Sequence, residues 1–401
     1  MIFNLNEYLI AVSFALDFVE MDVFGIATNH SKRVAYIALK IGKELGLSKE
    51  QLFDLVSLSI LHDNGACEKV LGQPQDDKME SFRTVEDMQE HGTKGEENVK
   101  DYPFLTNVID VIKYHHENYD GTGFFGVKGE RIPLMSQIIK LADTIELAFP
   151  LGKMFYEDKQ RLKEYVKKQT GVIFSPQPAE ALLKITQQQC FWLDLKDDFV
   201  NTSLKKDVPD FTREMSFEKI RQITQVFSKI VDSKSRFTRQ HSCGLTQKAA
   251  KMGEFYQKPS EEIYKLMIAG DLHDIGKLTI SNEILDKPGG LNRHEVDIIQ
   301  QHTYYTRLSL QEIRGFEDIT EWAANHHEKL NGKGYPYGKK AEELDFNSRL
   351  MSCLDVYQAL REERPYRMPM KHQDAAAILR NMVADGSLDG KIVEDVIRAF
   401  A

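Results

Sequence analysis

Ten of the twelve histidines fall into five pairs separated by a constant 211 residues: His30 and His241, His62 and His273, His91 and His302, His115 and His326, His116 and His327. Asp63 and Asp274 share that spacing. Such a register marks an internal duplication, so the chain folds as two copies of one unit. After the last histidine pair the register slips by one, and Asp143 in LADTIE matches Asp355 in CLDVYQ. The slip falls between GTGFFG in the first copy and GKGYPYG in the second, a Gly-rich loop where an insertion costs least. His294 and His372 have no partners and read as surface helix residues.

Each copy reads as helix after helix. LVSLSILHD, IYKLMIAGDLHD, NVIDVIKYHH and EDITEWAANHH carry apolar residues at i, i+3 and i+4, and alternating strand patterns are hard to find. The expected fold is all-α in two tandem domains, 1–193 and 215–401. The joining segment 194–214, rich in Asp and Lys and containing Pro209, reads as a linker.

The opening stretch, MIFNLNEYLIAVSFALDFVEMD, lacks a cationic start and is broken by Glu7, Asp17, Glu20 and Asp22, so an amphipathic helix is expected rather than a signal peptide. No later run approaches the roughly 18 apolar residues of a membrane span. Cys67, Cys190, Cys243 and Cys353 are scattered, as free thiols of a reducing, cytoplasmic compartment would be. A net charge of -9 provides no global basic field for long nucleic acid, but a small anionic ligand needs only a few local cations.

In the second copy, His241, the His273-Asp274 pair, His302, the His326-His327 pair and Asp355 supply five imidazoles and two carboxylates. Imidazole and carboxylate suit iron, manganese, nickel or zinc, and the lack of thiolate argues against a closed structural zinc site. Seven donors are too many for one ion. They fit two ions sharing a bridging carboxylate, with Asp274 the natural bridge. Two cations about 3.5–4 Å apart activate water and clamp a phosphate oxygen. Burying so many donors without a cation would leave costly unsatisfied groups.

HDIGK (His273 to Lys277) and HHEKLNGKGYPYG (His326 to Gly338) resemble the signature stretches of the HD-GYP phosphodiesterases. LDKPGGLNRHE (Leu285 to Glu295), His302, Asp355 and RPYR (Arg364 to Arg367) stand in the order that family shows. The resemblance implies a helical bundle around two divalent ions, iron or manganese first and nickel or zinc as alternatives. It implies hydrolysis of a 3′,5′-linked cyclic dinucleotide, with His241, His273, Asp274, His302, His326, His327 and Asp355 as metal ligands. It further implies Asp274 and Lys277 as catalytic residues, with Lys277 at the scissile phosphate, Arg364 and Arg367 on the substrate's phosphates, and Tyr335 beside the pocket. Family members with a third metal carry a glutamate four residues before the first histidine; Phe237 stands there, so two metals are expected.

The first copy keeps His30, His62, Asp63, His91, His115, His116 and Asp143, a candidate second metal site. It loses the rest: HDIGK becomes HDNGA, with Ala66 in the lysine position, and Phe124-Phe125 replace GYP. Gly152 and Phe155 stand nine and twelve residues beyond Asp143, where the second copy has its two arginines. The expected first domain is therefore a degenerate HD domain, 1–193, that packs on or regulates the catalytic HD-GYP domain at 215–401. A homodimer is also compatible.

A tandem chain with a degraded first copy resembles the HD-GYP members specific for 3′,3′-cyclic GMP-AMP, though cyclic di-GMP stays open as substrate, as do linear dinucleotide and mononucleotides as products. Two other readings remain: a hydrolase of mononucleotide phosphate esters, and a non-catalytic cyclic-dinucleotide sensor or scaffold. The second signature stretch and RPYR weigh against the first, and the complete donor set with Lys277 against the second.

Overall fold

The computed structural model describes residues 1–14, 17, 29–65, 84–234, 241–287, 289–362 and 368–401, with the backbone alone at 233 and 234. The fold is all-α, with eighteen helices and one two-stranded sheet among the described residues. Two compact units divide the chain: Asn4–Arg213, and Met1–Phe3 together with Glu214–Ala401. The three N-terminal residues belong to the second unit because β1 (Ile2–Phe3) pairs with β2 (Arg213–Glu214) and the Met1 amine donates to the Met215 carbonyl.

The first unit runs α1 (Leu5–Val12), α2 (His30–Glu44), α3 (Lys49–Leu61), α4 (Val85–Val99), α5 (Leu134–Ala148), α6 (Tyr156–Gln169), α7 (Pro176–Ile185), α8 (Gln189–Asp194) and α9 (Val200–Asp207). On α2, Val34, Ile37, Ala38 and Ile41 recur at helical spacing, are fully buried, and pack against α3 and α5. Each such branched aliphatic side chain contributes about 1.5–3 kcal/mol on burial. Ser48 starts α3 through a reciprocal capping box with Gln51.

The segment expected as a linker is folded. Leu195, Val200 and Leu204 are fully buried, α9 packs on α2, and Lys40 pairs with Asp207 at 2.9 Å. Its three apolar anchors, Leu195 capping α8 and Val200 and Leu204 on α9, lie among charged residues, so local composition conceals them.

The second unit repeats the plan with α10 (Phe217–Lys234), α11 (His241–Phe255), α12 (Ser260–Leu272), α13 (Asn282–Leu285), α14 (Arg293–Leu310), α15 (Glu317–Ala324), α16 (Phe346–Arg361), α17 (His372–Ala384) and α18 (Gly390–Ala399). Helices α2 and α11 both open on a paired histidine, and α3 and α12 both end one residue before the His-Asp pair. Helices α5 and α16 carry Asp143 and Asp355. His294 is exposed on α14, whereas His372 pairs with the Tyr357 hydroxyl at 2.9 Å. No helix among the described residues is long and apolar enough to cross a membrane.

Candidate metal centre

In the second unit, local backbone geometry aims the imidazoles inward. His273 caps the C-terminus of α12, and its Nδ1 donates to the Gly270 carbonyl at 2.8 Å. His302, midway along α14, donates to Ile299 O at 2.6 Å, and His326, just after α15, donates to Ala323 O at 2.6 Å. Each uses the carbonyl three residues back, which fixes the tautomer and leaves Nε2 as the lone-pair nitrogen. His241 opens α11 and reaches the Glu362 carboxylate through Nδ1 at 3.0 Å. The turn after Asp274 must pass close to α14: a Cβ on Gly276 would lie 2.0 Å from His302 O. Only glycine permits that approach.

The donors form two groups joined by one carboxylate. On one side, His241 Nε2 lies 3.0 Å and His273 Nε2 4.0 Å from Asp355 Oδ1, and His273 Nε2 lies 3.2 Å from Asp274 Oδ2. On the other, Asp274 Oδ1 lies 3.4 Å from His302 Nε2 and 3.7 Å from His326 Nε2. His327 joins His302 and His326 in a group whose donor atoms lie within 4.8 Å of one another, and its Nδ1 is 3.7 Å from Asp355 Oδ2. Donors bound about 2.0–2.2 Å from one ion sit roughly 3–3.5 Å apart, so these separations suit shared ions. His273 Nε2 and Asp274 Oδ1 are buried without a hydrogen-bond partner, the state expected of atoms meant for a cation.

The electrostatics agree with ligand duty. Burial pushes the His302 imidazole down to about 3 and His327 down to about 4, so both are neutral and able to donate a lone pair. Burial alone would raise Asp274, but His273 and the Lys277 ammonium outweigh it and hold the carboxyl well below the usual range. His241 runs the other way. Against burial, Asp355 and Glu362 hold it up at about 9, and the same two carboxylates favour any cation at that nitrogen.

One face of the cluster is less sealed. His327 keeps 28% of its side chain exposed and Lys277 21%, against 0–3% for the other four imidazoles. Lys277 Nζ reaches Asp274 Oδ2, and the Tyr335 ring stands 4.9 Å from that of His327 and 6.3 Å from that of His302. Burial first, then the Asp355 and Asp274 carboxylates, push the Tyr335 phenol up, so it stays a neutral donor. The loop bearing Tyr335 is tied down by Glu328, whose carboxylate accepts from Tyr337 N at 2.8 Å and Lys339 N at 2.9 Å. Arg364, Arg367 and Phe237 lie outside the described residues.

The first unit brings its seven donors together on the same plan. Asp63 Oδ1 lies 3.1 Å from His91 Nε2, 3.4 Å from His115 Nε2 and 3.8 Å from His116 Nε2. Asp63 Oδ2 lies 3.3 Å from His62 Nε2, and Asp143 Oδ1 lies 3.5 Å from His30 Nε2 and 3.6 Å from His62 Nε2. Glu117 ties down the loop here through Phe125 N and Val127 N at 2.8 and 2.7 Å. That match aligns Phe125 with Tyr337, so Phe124 replaces Tyr335 and Pro336 is the extra residue. Ala66 lies outside the described residues.

Sequence reasoning missed the carboxylates behind the histidines. Glu117 and Glu328 obey the 211-residue offset and could have been found by it. Glu362 and Glu146, which orient His241 and His30, could not: they stand seven residues after Asp355 but three after Asp143. Lys140, one turn before Asp143 where the second copy has Ser352, was also missed. Burial lowers its ammonium pKa, while Asp143, Glu117 and Asp63 pull it back up, which places a cation in the field of the first cluster.

The HD domain family matches residues 21–168 and again 225–392. The 3′3′-cGAMP-specific phosphodiesterase 1 of Vibrio cholerae is 30% identical over 98% of this chain and 91% of its own length. Phosphodiesterase 3 of the same specificity and organism is 29% identical over 94% of this chain and 90% of its length. A cyclic di-GMP phosphodiesterase of Pseudomonas aeruginosa is 28% identical but spans 48% of this chain. The crystal structure of a cyclic GMP-AMP-specific phosphodiesterase of V. cholerae superposes with a TM-score of 0.70 at 24% identity, covering 100% of this chain and 98% of that one.

Proposed function

The chain belongs to the HD domain family, and we propose that it is a metal-dependent phosphodiesterase hydrolysing a 3′,5′-linked cyclic dinucleotide in its second unit. The observation that carries this reading is the placement of Asp274, whose two oxygens face separate groups of imidazoles. His241, His273 and Asp355 would hold one divalent ion, His302, His326 and His327 the other, with Asp274 shared. Iron or manganese suits these nitrogen and oxygen donors best. When bound, such a pair acidifies water and draws charge from a phosphoryl oxygen.

The chain's own residues supply the rest. Carbonyl and carboxylate partners on the far nitrogens of four histidines lock the donor directions before substrate arrives. Lys277, at the less sealed face, meets the scissile phosphate and stabilises the charge that grows on it in the transition state. Tyr335, neutral and half-buried, offers its hydroxyl to the same phosphate. Arg364 and Arg367 receive the second phosphate, guanidinium forks matching phosphate oxygens.

For selectivity, two relatives named for 3′,3′-cyclic GMP-AMP match at least 94% of the chain, whereas a cyclic di-GMP relative matches 48%. Cyclic GMP-AMP is therefore the preferred substrate and a linear dinucleotide the first product, made in the cytoplasm. The test offers Mn²⁺- or Fe²⁺-loaded protein each cyclic dinucleotide, a dNTP and a cyclic mononucleotide separately, with products resolved by chromatography. Turnover of cyclic GMP-AMP above cyclic di-GMP, with none of the mononucleotides, is the expected result. Faster hydrolysis of mononucleotides, or binding without product release, would overturn the proposal.

A further inference from the structure

The first half lacks the lysine and tyrosine of the second, yet its donor cage is complete. We propose that this cage holds a second pair of divalent cations, shared through Asp63, as a structural centre that carries out no hydrolysis. The inference rests on the first unit's own residues and stands whether or not the second unit is a phosphodiesterase.

Four observations carry it. First, the bridge is present: Asp63 faces His62 with one oxygen and His91, His115 and His116 with the other, at 3.1–3.8 Å. Second, His115 Nε2 and Asp143 Oδ1 are buried and have no hydrogen-bond partner, although His115 is 0% and Asp143 3% exposed. Both aim at the space between the donors. A core that had abandoned metal would replace such groups with apolar ones, since an orphaned buried polar atom is costly.

Third, outer supports are kept at His62 and His115 and rebuilt at His30. His62 and His115 donate from Nδ1 to the carbonyls of Ser59 and Ile112, as their counterparts do. His30 is oriented by Glu146 at 2.7 Å, and Arg33 holds Glu146 while reaching Asp197 at 2.7 Å. That carboxylate comes from a different helical position than Glu362. The same orienting contact on the His30 ring is thus kept by a different residue. Fourth, Gly65 preserves the close approach, since a Cβ there would lie 2.3 Å from His91 O.

What is missing defines the role. Ala66 stands in the lysine position and Phe124 in the tyrosine position, so no side chain of the signature pair is left to stabilise a phosphoryl transition state. The ions would instead tie α2, α3, α4 and α5 to one point, and their binding energy becomes folding energy of the unit.

The test is a metal count on the full chain, stripped under chelator without oxygen, reloaded with Mn²⁺, desalted and measured by mass spectrometry. Wild type is expected to retain about four ions per chain, and Asp63→Asn together with His115→Ala about two. Asp274→Asn should also keep about two, now giving the electron paramagnetic resonance signal of a coupled Mn²⁺ pair from the first unit alone. Thermal unfolding of Asp274→Asn should still shift upward when Mn²⁺ is added. A wild-type count of two that falls to zero in Asp274→Asn would overturn the proposal, and needs no first-unit variant to fold. Wild type that retains about four ions yet hydrolyses no cyclic dinucleotide would instead count against the second unit's assigned activity.

Discussion

Asp274→Asn is expected to lower kcat for the cyclic dinucleotide by at least about a thousandfold, more than loss of a single transition-state hydrogen-bond donor. The reason lies in the position of the two carboxylate oxygens. One faces His273 at 3.2 Å, and the other faces His302 and His326 at 3.4 and 3.7 Å. An amide in their place offers one neutral oxygen and an NH₂ group that points hydrogen atoms at a cation. One ion loses its ligand, the other keeps only a neutral oxygen, and the pair loses a unit of negative charge. The second unit's metal content should fall together with kcat, which steady-state kinetics and a metal count read side by side. The matching change at Asp63 should leave kcat within about threefold, since the first unit lacks the means to act on a phosphate. Comparable losses at both positions would mean that the two units share the chemistry.

Lys277→Ala should lower kcat about a hundred- to thousandfold, or about 2.7–4 kcal/mol, with the metal count unchanged. Lys277 is no ligand; its ammonium meets Asp274 from the less sealed face, beside His327 and Tyr335. Negative charge on the phosphoryl oxygens grows between ground and transition state, so the contact strengthens along the reaction and its loss falls on kcat. Lys277→Arg should recover only part of the rate, because a broad planar fork does not reproduce a compact point charge. If Lys277→Ala instead raised KM and left kcat alone, the lysine would be a uniform binding contact.

Much of this was readable from spacing. The all-helical fold follows from apolar periodicity, and the seven donors of each copy could be picked by a single offset, with a one-residue slip before Asp143 and Asp355. An offset finds whatever both copies keep. It is blind where the copies reached the same contact differently, as with Glu146 and Glu362, and where only one copy changed, as with Lys140. The linker expectation for 194–214 came from composition instead, and Leu195, Val200 and Leu204 are too few buried apolar residues to show a period among Asp and Lys. The glycine after each His-Asp pair was visible in both copies, but its necessity was not: the clash it avoids is with the backbone of a helix some thirty residues further on.

Cleavage of 3′,3′-cyclic GMP-AMP in ¹⁸O-labelled water, by the same protein stripped of metal and then reloaded with Mn²⁺, goes straight to the claim that a caged pair of cations in the second unit enables hydrolysis. The reloaded chain should release linear dinucleotide carrying one labelled oxygen on its terminal phosphate, and the stripped chain none. Equal cleavage by the stripped chain, or no cleavage after reloading, would contradict it.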